Sequence, residues 1–154
     1  MVLTRLKTAS AVISFAANLE GDMAKLYEDL ARRYPEGREI FLSFSKGNGQ
    51  NRALLERAYY EAITDAIEAC FSFEEGLDPG AYALDAKPTG AMGFADALRF
   101  AIEAEGRAKG FYEEAARLSK GLMADIPRAF EIIARKRGDR IAKLKALAEG
   151  LGPA

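Results

Sequence analysis

Two glutamates in closely matched sequence settings are the first candidates for chemistry. Glu20 and Glu105 are each followed by a glycine, and a tyrosine comes seven residues after each of them, Tyr27 and Tyr112 respectively. One offset, 85 residues, relates the two glutamates and the two tyrosines. Carboxylates that are buried together can bind metal ions, exchange protons or pair with cationic side chains. The repeated spacing indicates an internal duplication that places the two glutamates at equivalent positions.

The histidine and cysteine content limits what these glutamates could do. The chain has no histidine, which excludes imidazole metal ligands, Ser-His and Cys-His catalysis, and a histidine pH switch. Cys70 is the only cysteine, so an intramolecular disulfide is excluded. We expect Cys70 to be a small core residue at a helix end, in a protein with a reducing, cytoplasmic location. We predict no catalytic residue.

Composition and charge favour a single helical domain over residues 1–154. Apolar residues make up 49% of the chain, which excludes an intrinsically disordered protein. Alanine occurs 29 times against two valines, and this bias favours helix over sheet. The net charge of −1 gives no reason to expect a nucleic acid or an anionic membrane as a partner. No apolar run approaches the ~18 residues of a membrane span.

Helical periodicity predicts four long helices, at about residues 3–33, 37–70, 93–121 and 125–149. Short links follow the first and third helices, so each should form an antiparallel hairpin with the next helix. The long link between the second and third helices carries turn sequences at Pro79 and Pro88, which predicts a crossover along the bundle. Two hairpins joined by one crossover give an all-α, ferritin-like four-helix bundle. Segment 46–51 contains poor helix formers, and the sequence leaves open whether it is helical or contains a distortion or a loop.

Polar residues interrupt the apolar seam of every predicted helix at the same level. Heptad spacing places apolar residues above and below a layer of six polar side chains: Glu20, Asn48, Asn51, Glu105, Arg137 and Arg140. Four glycines adjoin this layer: Gly21, Gly49, Gly106 and Gly138. A glycine inside a helix costs roughly 1 kcal/mol relative to alanine. We therefore interpret these four glycines as positions that leave space for close helix contacts, for a large arginine, or for a small ligand. In a different register the polar residues would face water.

This pattern resembles the rubrerythrin-like branch of the ferritin-like superfamily over about 140 residues. The matching features are the Glu–Tyr spacing of the first and third helices and the phenylalanines, Phe41 and Phe130, that lead the second and fourth. The resemblance implies a di-iron centre to which the first and third helices each give one glutamate. It also implies that the second and fourth helices each give a Glu-x-x-His pair, whose two side chains share one helix face.

In this chain both Glu-x-x-His pairs are replaced. Counting seven and ten residues from each phenylalanine reaches Asn48-x-x-Asn51 and Arg137-x-x-Arg140. Of the six implied ligands only Glu20 and Glu105 remain, and any iron or manganese would have to be held by them. Two glutamates and two arginines sum to zero charge without a metal, and a nearby guanidinium offsets the cost of burying a carboxylate. We therefore expect no cofactor, and we predict that the two arginines occupy the implied metal volume and pair with the two glutamates.

Three functions remain open on this basis. The first is a ferritin-like scaffold or interaction protein without catalytic activity. The second is a metal-dependent oxidoreductase or iron-handling protein with an altered ligand set, whose extra carboxylates would come from Glu56, Glu61, Glu103 and Asp139. The third is a binding module in which the two arginines hold a small anion or carboxylate, in a pocket lined by Tyr27, Tyr112, Gly49 and Gly138. Bundles of this kind often dimerise, so a homodimer is also expected.

Overall fold

The described part of the chain is all-α, with four long helices and a small two-stranded sheet. The structure, a computed structural model, describes residues 5–62, 72–84, 92–120 and 125–150. The helices are α1 (Ala9–Arg33), α2 (Arg38–Ala62), α3 (Phe94–Leu118) and α4 (Asp125–Gly150), the strands are β1 (Leu6–Thr8) and β2 (Ser72–Leu77), and Pro35–Gly37 and Pro79–Ala81 form short 3-10 turns. Among the helices of these ranges, none is long and apolar enough to cross a membrane.

The start of α1 differs from the prediction that a helix begins near residue 3. The helix begins at Ala9, because Thr8 has an extended backbone and its hydroxyl accepts a hydrogen bond from the Ala11 N–H at 3.2 Å. A threonine in this geometry is an N-cap, which marks the residue before a helix. The preceding residues form β1, which pairs with β2 in an antiparallel arrangement.

The second helix is continuous through the glycine-rich segment. Residues 46–51 are helical throughout, which answers the question that the sequence left open. Helix α2 is described to Ala62, and the rest of its predicted length, including Cys70, lies outside the described residues. Helix α3 ends at Leu118, followed by the buried Ser119, and α4 is described from Asp125 onward.

Consecutive helices run antiparallel, as the hydrogen bonds between them show. Asn51 of α2 contacts Glu20 of α1, whereas Arg38, at the start of α2, contacts Ala31 near the end of α1. Helices α3 and α4 pair closely in the same way. Helix α1 is also antiparallel to α3, so α2 and α3 run in the same direction. The chain must therefore return along the bundle between them.

The described part of this return lies along α1 and α3. Strand β2 starts it beside β1, at the beginning of α1. Tyr82 then packs against Phe111 of α3, with 5.6 Å between the ring centroids. Beyond the gap in the described residues, the carbonyl of Met92 accepts a hydrogen bond from the Tyr34 hydroxyl at the other end of α1. The described parts of this connection thus contact opposite ends of α1.

Candidate functional site

The six predicted polar residues come together in the centre of the bundle. One or two come from each helix, and all are buried: Glu20, Asn48, Asn51, Glu105, Arg137 and Arg140. They project inward because they occupy the core-facing heptad positions of their helices. Aromatic residues enclose this layer, including Tyr27, Phe44 and Tyr112. We call these six residues the polar layer.

Arg137 joins the two glutamates of the polar layer. Its Nη1 donates to Oε1 and Oε2 of Glu105 at 2.8 and 2.9 Å, and its Nη2 donates to Oε2 of Glu20. Burial opposes the charge of Arg137, whose side chain has no exposed surface, but Glu105 and Glu20 together hold its pKa above the ordinary value. The guanidinium is therefore a permanent cation placed between two carboxylates.

Arg140 pairs with Glu105 but makes no hydrogen bond to Glu20. Its Nη1 donates to Glu105 Oε1 at 3.1 Å and to Asn48 Oδ1 at 2.6 Å, and its Nη2 donates to the Phe44 carbonyl at 2.8 Å. The guanidinium carbon also lies 4.8 Å from the centroid of the Phe44 ring, within the range of a cation–π contact. Arg140 thus connects α4 to α2 by hydrogen bonds, and Glu20 pairs with Arg137 instead.

The two tyrosines exchange hydrogen bonds crosswise between α1 and α3. The Tyr27 hydroxyl donates to Glu105 Oε1, and the Tyr112 hydroxyl donates to Glu20 Oε2, both at 2.6 Å. These contacts are equivalent under the 85-residue offset. Burial and then the adjacent carboxylate raise the pKa of each tyrosine well above its ordinary value. Both phenols are therefore neutral hydrogen-bond donors at physiological pH.

The asparagines occupy less symmetrical positions. Asn51 Nδ2 donates to Glu20 Oε1 at 3.0 Å, whereas Asn48 uses only its oxygen, which accepts from Arg140. Within the described residues, Asn48 Nδ2 and Arg137 Nε are buried without a hydrogen-bond partner. All four carboxylate oxygens accept at least one hydrogen bond. The polar groups of the layer that lack a hydrogen-bond partner are therefore donors, and every carboxylate oxygen already accepts a hydrogen bond.

Gly47, which was not among the predicted site residues, makes room for Arg140. A Cβ atom built at Gly47 would lie 2.6 Å from Nη2 of Arg140, closer than real contacts allow. The glycine content of segment 46–51 was the available signal.

The prediction that Gly49 lines a pocket was wrong: it is exposed, because a residue next to an inward-facing position lies about 100° around the helix. A Cβ atom built at Gly138 would lie 3.4 Å from Cε of Lys109, so this glycine also lines no pocket in the polar layer.

The additional carboxylates proposed as metal ligands lie elsewhere. Glu103 and Asp139 are exposed, and Glu56 pairs with Arg52 on the surface of α2. The Glu61 side chain lies outside the described part. In the ranges that the structure describes, no three His, Cys, Asp or Glu side chains come together in a group that could hold a metal ion. Glu20 and Glu105 converge without a third carboxylate from the described residues.

The charged groups of the polar layer pair with one another and form a cluster with no net charge. Two carboxylates and two guanidinium groups balance, both phenols are neutral, and hydrogen bonds connect all four helices. Such a cluster can fix the relative positions of the helices.

No protein-family model, curated protein or solved structure matches the chain.

Proposed function

We propose that the chain is a ferritin-like protein whose di-iron site has become an arginine–glutamate core, and that it acts as a scaffold or interaction protein without catalytic activity. The observation that supports this most is Arg137, which lies between Glu20 and Glu105 and hydrogen-bonds to both. These are the two glutamates that the family resemblance assigns to the metals. The guanidinium stands where the resemblance implies a cation.

The donor set does not fit a di-metal centre. A divalent metal pair needs several anionic or neutral ligands with free lone pairs. Here the carboxylate oxygens accept hydrogen bonds from arginine, tyrosine and asparagine, and two fixed positive charges lie in the same volume. Metal ions would be repelled by both guanidinium groups and would have to break these hydrogen bonds.

Binding of a small anion by the arginines is the weaker candidate for the same reason. Both guanidinium groups already contact Glu105, and Arg137 contacts Glu20 as well. An external anion would have to displace a buried carboxylate and leave it without compensation, which costs several kcal/mol.

Metal analysis of the purified protein tests the proposal directly. The protein is expressed in medium supplemented with iron and manganese, and its metal content is measured by plasma mass spectrometry. We expect well below one equivalent of either metal per chain. Two equivalents per chain, lost together in Glu20→Gln, would overturn the proposal in favour of an iron-handling protein or a metal-dependent oxidoreductase.

A rebuilt ligand set tests the ferritin-like geometry itself. The variant Asn48→Glu, Asn51→His, Arg137→Glu and Arg140→His restores both Glu-x-x-His pairs on the faces that now form the polar layer. We expect it to bind two equivalents of iron or manganese, with a raised melting temperature when metal is added. The matched control adds Glu20→Gln and Glu105→Gln and should lose this binding. A folded rebuilt variant without metal affinity would contradict the assignment to this family.

A further inference from the structure

Helix α2 has a second heptad stripe, on the side facing away from the core. We call it the outer stripe; its residues follow each other at alternating steps of four and three: Leu42, Lys46, Gly49, Ala53, Glu56 and Tyr60. At about 100° per residue they fall within an arc of about 80° and extend over about 27 Å. All six side-chain positions are exposed or half-exposed.

The outer stripe carries the large apolar side chains that the fold leaves exposed. Of the large hydrophobic residues in the described ranges, Leu42 and Tyr60 are the exposed ones, at 49% and 72%. They lie at the two ends of the stripe, on the same line along the helix. Each stands alone, about 27 Å from the other along the helix, so a partner that covers both must lie along the length of α2.

Gly49, near the middle of the stripe, is exposed and faces open space within the described structure. A Cβ atom built there would meet no atom within 4 Å, although glycine at an interior helix position costs roughly 1 kcal/mol relative to alanine. Together with Ala53, it forms a shallow section of the helix surface. Small residues at such a section allow a second helix to approach closely.

The outer stripe is complementary to itself when two copies run antiparallel. We propose that two copies of the chain associate through it, in an isologous contact between their α2 helices. In one register Leu42 faces the second copy's Tyr60, Lys46 faces its Glu56, and Gly49 faces its Ala53. In all three pairs the two residue numbers add to 102. One alignment thus matches apolar with apolar, positive with negative and small with small.

The local charges permit this pairing. Lys46 is exposed and makes no ion pair with the part of the chain that the structure describes. Glu56 pairs with Arg52 within α2, but both side chains are about half exposed, and surface pairs four residues apart stabilise weakly. Each pairing occurs twice in a symmetric dimer, so the Lys46–Glu56 contact contributes two intermolecular ion pairs. This inference is independent of what occupies the polar layer.

Charge reversal tests the contact and its register. Sedimentation equilibrium of the full chain, over a series reaching about 100 µM, should show a dimer. Lys46→Glu and Glu56→Lys should each weaken association at least about tenfold, because each creates two like-charge contacts. The double variant should restore it. A monomer throughout would overturn the proposal and leave the outer stripe to a different protein.

Two further outcomes are decisive. A dimer insensitive to both single changes would place the interface elsewhere, and a double variant as weak as the single ones would exclude this register.

Disulfide formation provides a second measurement in a Cys70→Ser background. A mixture of Gly49→Cys and Ala53→Cys chains should cross-link more efficiently than either chain alone. The metal content does not enter either measurement, so failure here is distinct from failure of the proposed function.

Discussion

Arg140 depends on a neighbour that has no side chain. Its Nη2 lies 2.6 Å from the position that the Cβ of any other residue at position 47 would take, and it donates to the Phe44 carbonyl. The spacing from Phe130 correctly indicates which arginines point inward, but not how each divides its hydrogen bonds. An arginine side chain has several rotatable bonds, so its partners are decided by packing. The need for glycine at position 47, rather than at Gly49, follows from that packing.

We predict that Gly47→Ala destabilises the protein by about 1–3 kcal/mol, because the new methyl group forces the Arg140 guanidinium from its position. The matched control is Gly106→Ala on α3, where a Cβ meets no atom within 4 Å. The control should stabilise the protein by up to about 1 kcal/mol through helix propensity. Urea unfolding measures both. Equal effects of the two substitutions would show that Arg140 does not need the space at Gly47.

At the scale of elements, long side chains join α1 to α3. The two helices have few close backbone contacts, and the crosswise Tyr27–Glu105 and Tyr112–Glu20 hydrogen bonds bridge them. The repeated Glu–Tyr spacing predicts that these residues share a helix face, and they do. Helix ends were less predictable: β1 replaces the first turns expected for α1, because Leu6 pairs with Leu77 far along the chain. Periodicity within a short window contains no information about such a partner.

The tyrosines predict a loss of stability at high pH. Their pKa values are raised in the folded protein, so their contribution to the free energy of unfolding is complete below the unfolded pKa of about 10. Above that pH it is lost, because the unfolded chain releases protons that the folded protein retains. The expected slope is about 1.4 kcal/mol per pH unit for each tyrosine.

Urea unfolding at a series of pH values from about 8 to 11 measures this slope. The double variant Tyr27→Phe and Tyr112→Phe should be less stable at pH 8, through loss of two buried hydrogen bonds, and should have a flatter alkaline dependence. Tyr60→Phe, which changes an exposed ring, serves as the control. An unchanged slope in the double variant would mean that the buried phenols ionise without unfolding.

At the scale of the whole molecule, the ion pairs of the polar layer do not follow the symmetry of the sequence repeat. Glu20 and Glu105 are equivalent under the repeat, yet Glu105 contacts both arginines and Glu20 contacts one. The two-hairpin order and the residues of the polar layer could be predicted from the sequence, because spacing and connection length determine them. Which glutamate each arginine contacts could not be predicted, because side-chain rotamers set by packing decide it rather than spacing.

This asymmetry predicts unequal effects at equivalent positions. Glu105→Gln should cost about 3–5 kcal/mol, because it leaves Arg140 without any carboxylate. Glu20→Gln should cost less, since both arginines keep their hydrogen bonds to Glu105. Chemical unfolding at pH 7 compares them. A larger effect of Glu20→Gln would show that the contact of Arg137 with Glu20, rather than the contacts of Glu105, holds the cluster together.

The separation of Glu20 from Arg137 has a consequence for synthesis of the chain. The two side chains meet across 117 residues, so the first hairpin leaves the ribosome long before its interior charge has a counter-ion. Until the last helix is made, that hairpin must either remain open or keep a carboxylate and two asparagines in contact with water. Closure of the interior is thus delayed until α4 has been synthesised, and a truncated chain that lacks α4 cannot complete it.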